Sequence, residues 1–223
     1  MVRIVEKSRE YVIIYKPVGV PSQSDPTGDP DAMSITAELL SALGESSSLW
    51  LVHRLDRTVG GLLVFARTKS AAAELSELVA GDKMRKIYLA VAEGVPQGGE
   101  YRDYLYKDAR ISKAFIVDRK RTGVKEAYLE CEPIATRNSQ TLCRIDLHTG
   151  RYHQIRAQLS SRGTPLVGDG KYGSRDKGAR TPALLAYRLE FDFKGKRIIA
   201  EVRPDSTVYP WSAFEDEISK EVL

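Results

Sequence analysis

The feature that most constrains this chain is that strand-like runs follow one another directly, with helical stretches between only some of them. Residues 11–16, YVIIYK, are a β-branched and aromatic run stopped by Pro17. Leu62 to Phe65 reads as a buried strand, and Lys86 to Glu93 as another, followed by a turn-rich break from Gly94 to Gly99. Residues 126–147 alternate as two strands joined around Arg137 to Gln140. Thr181 to Phe193 and Arg197 to Val202 close the pattern as a hairpin turning at Lys194 to Lys196. Helical spacing covers Ser34 to Leu43, with Ser34 as N-cap, and a Ser70-capped stretch to about Val79 ended by Gly81. A third helix is expected from Gln154 to Ser161, ended by Gly163 and Pro165. Strands that succeed each other without an intervening helix favour an α+β fold over a doubly wound parallel one. The expectation is a mixed, largely antiparallel sheet flanked by helices and loops. With no repeat, linker or low-complexity tract, one domain over residues 1–223 is the expected count.

Composition narrows the function classes. Apolar residues make up 42% of the 223 positions, enough for a core, yet no run nears the roughly 20 residues of a membrane helix. The opening MVRIVEKSRE has no apolar stretch behind its charges, so no secretory signal is expected and a cytoplasmic protein is the default. Cys131 and Cys143 read as buried reduced thiols, and three histidines without a CxxC leave no zinc site. The net charge of +4 is mild. Its distribution says more: Arg102, Lys107, Arg110, Lys113, Arg119, Lys120, Arg121 and Lys125 crowd residues 102–125, and a second cluster follows in 151–180. A phosphate-tracking surface and an ordinary solvated face both fit that pattern.

Three segments carry unusual polar residues. In LVHRLDRTVGGLLVFA (51–66), Asp56 lies between Arg54 and Arg57, whose charges favour its ionised form, and Gly60-Gly61 permits close backbone approach or positive φ before an apolar strand. Taken alone this reads as a structural Arg–Asp ion pair at a turn. In KIYLA (86–90), Tyr88 alone reads as a core tyrosine. In LHTGRYHQIRAQLSSRGTPLVGD (147–169), Arg151, His153, Gln154 and Arg156 form a dense group of donors suited to a phosphate or a carboxylate. A helix starting near Tyr152 would put Tyr152 and Arg156 on one face.

Together, HRLDRTVGGLLVFA, KIYLA and TGRYHQIRAQLSSRGTPLVGDGKYG resemble, in order and approximate spacing, the three signature motifs of the RluA-type pseudouridine synthases. IIYKPVGVP (13–21) resembles the family's strand and lysine-proline turn, and the resemblance covers about residues 8–204. It departs from many relatives in Val59-Gly60-Gly61 after the Asp, and in Leu184-Leu185-Ala186 where a Leu-His-Ala is common. Many bacterial members also carry an N-terminal S4-like domain, for which the position of Asp56 leaves no room.

The resemblance implies a single pseudouridine-synthase-like domain that isomerises uridine in rRNA or tRNA, with Asp56 as catalytic carboxylate, Tyr88 stacking near the base and Arg156 pairing with the Asp. The chemistry requires breaking N1–C1′, turning the freed uracil and rejoining it through C5. A carboxylate serves by attack at C1′, by holding the positive charge that develops as the glycosidic bond breaks, by attack at C6 or by taking a proton from C2′, and the sequence does not choose among them. No metal, nucleotide or redox cofactor is required. Base flipping is expected, with Arg54 or Arg151 to fill the vacated space or hold flanking phosphates, Arg54 being the one the resemblance favours. RNA contacts are expected from Arg54, His53, Arg57, Arg151, His153 and Gln154, the two histidines acting as hydrogen-bonded groups and not as general bases. Asp169 is expected to hold a loop by accepting backbone N–H bonds. Loops at 18–33 and 100–125 are candidates for specificity. The implied partner is RNA, with no membrane, no required protein partner and a monomeric state. The alternatives are a non-catalytic RNA-binding protein on the same fold and a hydrolase using Asp56 as nucleophile.

Overall fold

The computed structural model describes residues 1–221. The final two residues of the expected domain span lie outside the described residues. In chain order the regular elements are β1 (Arg3–Lys7), β2 (Tyr11–Lys16), α1 (Ala32–Ala42), β3 (Trp50–Leu51), β4 (Gly60–Ala66) and α2 (Lys69–Ala80). There follow β5 (Arg85–Glu93), β6 (Gly99–Asp108), β7 (Lys113–Val117), β8 (Val124–Arg137), β9 (Gln140–Leu147) and α3 (Gln154–Ser161). The chain ends in β10 (Leu184–Phe193), β11 (Lys196–Glu201) and α4 (Glu215–Glu221), with short 3-10 turns at Gly170–Tyr172 and Trp211–Phe214. The class is α+β. Every pairing whose register is described is antiparallel.

The chain divides into two compact units, Met1–Arg85 with Ala186–Val202 and Lys86–Leu185 with Arg203–Leu223. In the first, the strand order is β1-β2-β4-β10, with β3 on β4 and β11 on β10. β2 and β4 carry almost unbroken apolar sequence because they lie inside this sheet; Ile13, Ile14, Leu62, Leu63 and Phe65 are fully buried. Burying each such side chain stabilises the unit by about 1.5–3 kcal/mol. α1 starts two residues before the expected position. Asp31, not Ser34, caps it, its carboxylate accepting from the amides of Met33 (2.9 Å) and Ser34 (3.0 Å). Likewise Thr68, not Ser70, caps α2 by accepting from the Ala71 amide at 3.1 Å. An extended residue immediately ahead of the helix holds its oxygen over the orphan N–H groups, whereas a serine inside the first turn does not.

In the second unit the order is β5-β9-β8-β6-β7. β8 turns into β9 through Asn138 and Ser139, at φ 50 and 59, and β10 into β11 through Lys194 and Gly195, at φ 49 and 76. Two central residues at positive φ are the hairpin turn whose twist matches the strands. Residues 100–125, expected as a loop, are instead mostly the β6–β7 hairpin, and only the stretch around Arg119-Lys120-Arg121 is irregular. Thr181 to Ala183 stay outside β10. Cys131 and Cys143 are buried free thiols, as expected.

Candidate active site

Asp56 sits in the turn between β3 and β4, where its carbonyl accepts the Val59 amide at 3.0 Å. Both of its neighbours are tied to the segment after β2. The Ser22 hydroxyl donates to the Leu55 carbonyl (2.8 Å) and accepts from the Leu55 amide (3.0 Å). The Arg57 carbonyl accepts from the Gly19 amide at 2.8 Å. Between these attachments the carboxylate has little backbone freedom.

Lys16, the last residue of β2, supports the same turn. Its side chain is fully buried, and Nζ donates to the carbonyls of Pro17 (3.1 Å), Val20 (2.8 Å) and Arg57 (3.5 Å). Burial pushes its pKa down to about 8, against an upward pull from the Asp56 charge. A lysine closing an apolar strand is the sequence signal for this role.

The other candidates of this segment divide by exposure. His53 Nε2 accepts the Val64 amide at 3.3 Å, which joins the turn to β4. Arg57 is exposed; it donates to Thr27 Oγ1 at 3.1 Å and ion-pairs with Asp29, organising the loop before α1. Arg54 is exposed to solvent. Gly61 enters β4 at φ +125, and a Cβ there would lie 2.6 Å from the Ala186 amide nitrogen. Both reasons for a glycine at this point, positive φ and close backbone approach, therefore apply at once.

In the second unit Tyr88 is buried in β5, paired with Ile145 of β9. The dense donor segment forms the entry to α3. His153 takes the left-handed conformation at φ 53, so the helix begins at Gln154. Tyr152 consequently lies outside the helix and shares no helical face with Arg156. Its ring stacks on His153, with centroids 3.9 Å apart, and Lys107 lies over it at 4.4 Å. Gln154 is buried, its Oε1 accepting from Thr149 Oγ1 (2.7 Å) and the Arg151 amide (3.0 Å), while Nε2 donates to the Tyr128 carbonyl (3.1 Å). These bonds build the turn. Arg151 is half-buried and donates Nε to the Glu126 carbonyl at 2.9 Å. His153 is buried with Nδ1 3.0 Å from the Tyr172 hydroxyl.

Arg156 donates Nε to Asp169 Oδ2 at 2.7 Å and Nη2 to Oδ1 at 2.8 Å. The Asp169 side chain thus holds a guanidinium. The loop bonds expected of its carboxylate fall instead to its main-chain carbonyl, which accepts from Tyr172 (2.9 Å) and Ser174 (3.1 Å). Asp169 and Tyr172 stood in the GDGKYG stretch, but nothing in linear sequence tells which carboxylate a given arginine reaches.

Comparison with known proteins shows the family. Residues 10–161 match the family described as RNA pseudouridylate synthase. A Zymomonas mobilis protein described as an uncharacterized RNA pseudouridine synthase is 32% identical over 206 residues, covering 91% of this chain and 93% of that one. The ribosomal large subunit pseudouridine synthase D of Neisseria meningitidis is 30% identical over 210 residues, covering 84% of this chain and 54% of that one. Among solved structures, human RNA pseudouridylate synthase domain containing 4 matches with a TM-score of 0.76 at 22% identity, over 91% of this chain and 88% of that one. That last likeness speaks to the fold. On the family match and the sequence identities, the chain belongs to the RluA-type RNA pseudouridine synthases, isomerases that act on uridine in RNA.

Proposed function

We propose that the chain converts particular uridines of ribosomal or transfer RNA to pseudouridine, with Asp56 as its catalytic carboxylate. The observation that carries this reading is the anchoring of Asp56 on both sides, through Leu55 to Ser22 and through Arg57 to Gly19 and Lys16. A carboxylate held in this way is aligned before substrate arrives, which is how an enzyme avoids reorganisation during reaction. Cleaving N1–C1′ builds positive character at the sugar, which an ionised carboxylate stabilises by attack or by charge. Tyr88 stacks on the uracil and Arg156 keeps the reacting carboxylate ionised, the roles that the motifs imply. The target nucleotide leaves its stack to react.

Arg54, exposed beside Asp56, fills the vacated space, and Arg57 and Arg151 meet phosphates. The hydrogen bonds of half-buried His53 and of buried His153 and Gln154 shape the two turns that present these groups. Ribosomal RNA is the first substrate to test, because a 30% identical relative is a ribosomal large subunit enzyme. The protein acts in the cytoplasm as a monomer without a protein partner. Carbodiimide-based mapping of pseudouridine in rRNA and tRNA, from cells with and without the gene, tests the assignment. The expected result is one or a few positions lost in the deletion strain and restored by the wild-type gene but not by Asp56→Ala. An unchanged map in both RNA classes contradicts it.

A further inference from the structure

Arg156 and Asp169 form the most completely buried ion pair described in the second unit, with side chains 5% and 1% exposed. The contact is a fork: the Nε–Nη2 edge of the guanidinium meets both carboxylate oxygens, which fixes its plane as well as its place. A second restraint comes from Tyr172, whose ring lies 4.9 Å from the guanidinium carbon. The tyrosine is itself held, its hydroxyl accepting the Ala114 amide at 2.8 Å and lying 3.0 Å from His153 Nδ1. Asp169 cannot drift, because its carbonyl takes the amides of Tyr172 and Ser174 and it follows Gly168, whose φ of +79 fixes the turn.

An ion pair buried to this degree is a poor way to add stability, since desolvating both charges offsets most of their attraction. It is an effective way to orient a planar cation. With the Nε–Nη2 edge committed to Asp169, the guanidinium can address a further anion only along its remaining N–H groups, in a direction that Asp169 sets.

We infer that Asp169 is a positioning residue for pseudouridine formation, acting through Arg156. This rests on the reading that Arg156 serves the reaction. Asp169 touches neither substrate nor reacting atoms. Its removal releases the guanidinium plane and takes away the carboxylate that orients the buried cation.

The test is a double-mutant cycle between Asp169→Asn and Arg156→Lys, read as single-turnover tritium release from C5-tritiated RNA of cells lacking the gene. RNA binding to the same pool is measured by filter retention, and all assays run below the melting temperature of every variant. Asp169→Asn is expected to slow release about 100-fold, the usual scale for a misaligned group, with RNA affinity changed less than about threefold. In the Arg156→Lys background the same change is expected to cost less than about threefold, because its route of action is already lost. Where Asp169→Asn does not fold, Asp169→Glu replaces it in the cycle; its extra methylene displaces the guanidinium and is expected to cost about tenfold in rate. A wild-type rate in the Asp169 variant, an undiminished loss in the Arg156→Lys background, or equal losses in rate and affinity overturns the inference. If wild-type enzyme itself releases no tritium, the reading of the reaction fails together with it, an outcome distinct from an active wild type with an equally active variant.

Discussion

The hydroxyl of Tyr172 lies 3.0 Å from Nδ1 of His153, within a buried group that also contains Arg156. Burial, and then the charges of Arg156, Lys171 and Lys107, press the His153 pKa from 6.5 down to about 3. The imidazole is therefore neutral at physiological pH. As pH falls below 6.5 the unfolded chain takes up the proton first, so stability is complete above that value and declines down to about 3. One such group changes stability by at most about 1.4 kcal/mol per pH unit. His153→Gln is expected to flatten this part of the curve, measured as urea midpoints at pH 7, 5.5 and 4.5. Parallel curves for wild type and variant count against the assignment.

Lys16 gives a second prediction. Replacing it by Met leaves the Pro17 and Val20 carbonyls without their ammonium donor, at about 1–3 kcal/mol for each buried group left unsatisfied. Relief of the buried charge offsets part of this, so a net loss of about 2–4 kcal/mol is expected in denaturant titration. The folded pKa of about 8 lies below the unfolded 10.5, so the native state loses its proton first as pH rises. Wild type should therefore gain stability over Lys16→Met between pH 8 and 10.5. A variant as stable as wild type at pH 7 removes the structural role.

Gly61→Ala should be among the most damaging single-methyl additions in the first unit. It meets the Ala186 backbone and adopts φ +125; strain and overpacking each cost about 1–3 kcal/mol. Gly170→Ala is the control, since nothing lies within 4 Å of its added Cβ; a change of at most about 0.5 kcal/mol is expected there. Equal thermal melts for the two variants would contradict the packing argument.

Much of this fold was legible where sequence and burial agree. β2 and α3 fall on the expected residues because an apolar run ended by Pro17, and a helix ended by Gly163, are punctuated by their own chemistry. β6 and β7 were hidden by composition. The run Gly99–Asp108 buries only Tyr101 and Leu105, with half-buried Asp103 at the inward position between them, so its period-2 pattern is interrupted by a charge. In the site, the motif residues were recognisable locally, while the partners that hold them were not. Ser22 reaches Leu55, and Asp169 reaches Arg156, only after folding brings the segments together.

Asp56 is proposed to carry out the isomerisation, and tritium release from C5-labelled uridine in bulk tRNA and rRNA fragments, wild type against Asp56→Asn, tests this directly. Wild type is expected to release tritium and the variant to lose at least about a thousandfold, the scale of losing a catalytic group, with RNA binding and melting temperature preserved. Release by Asp56→Asn at the wild-type rate would contradict it.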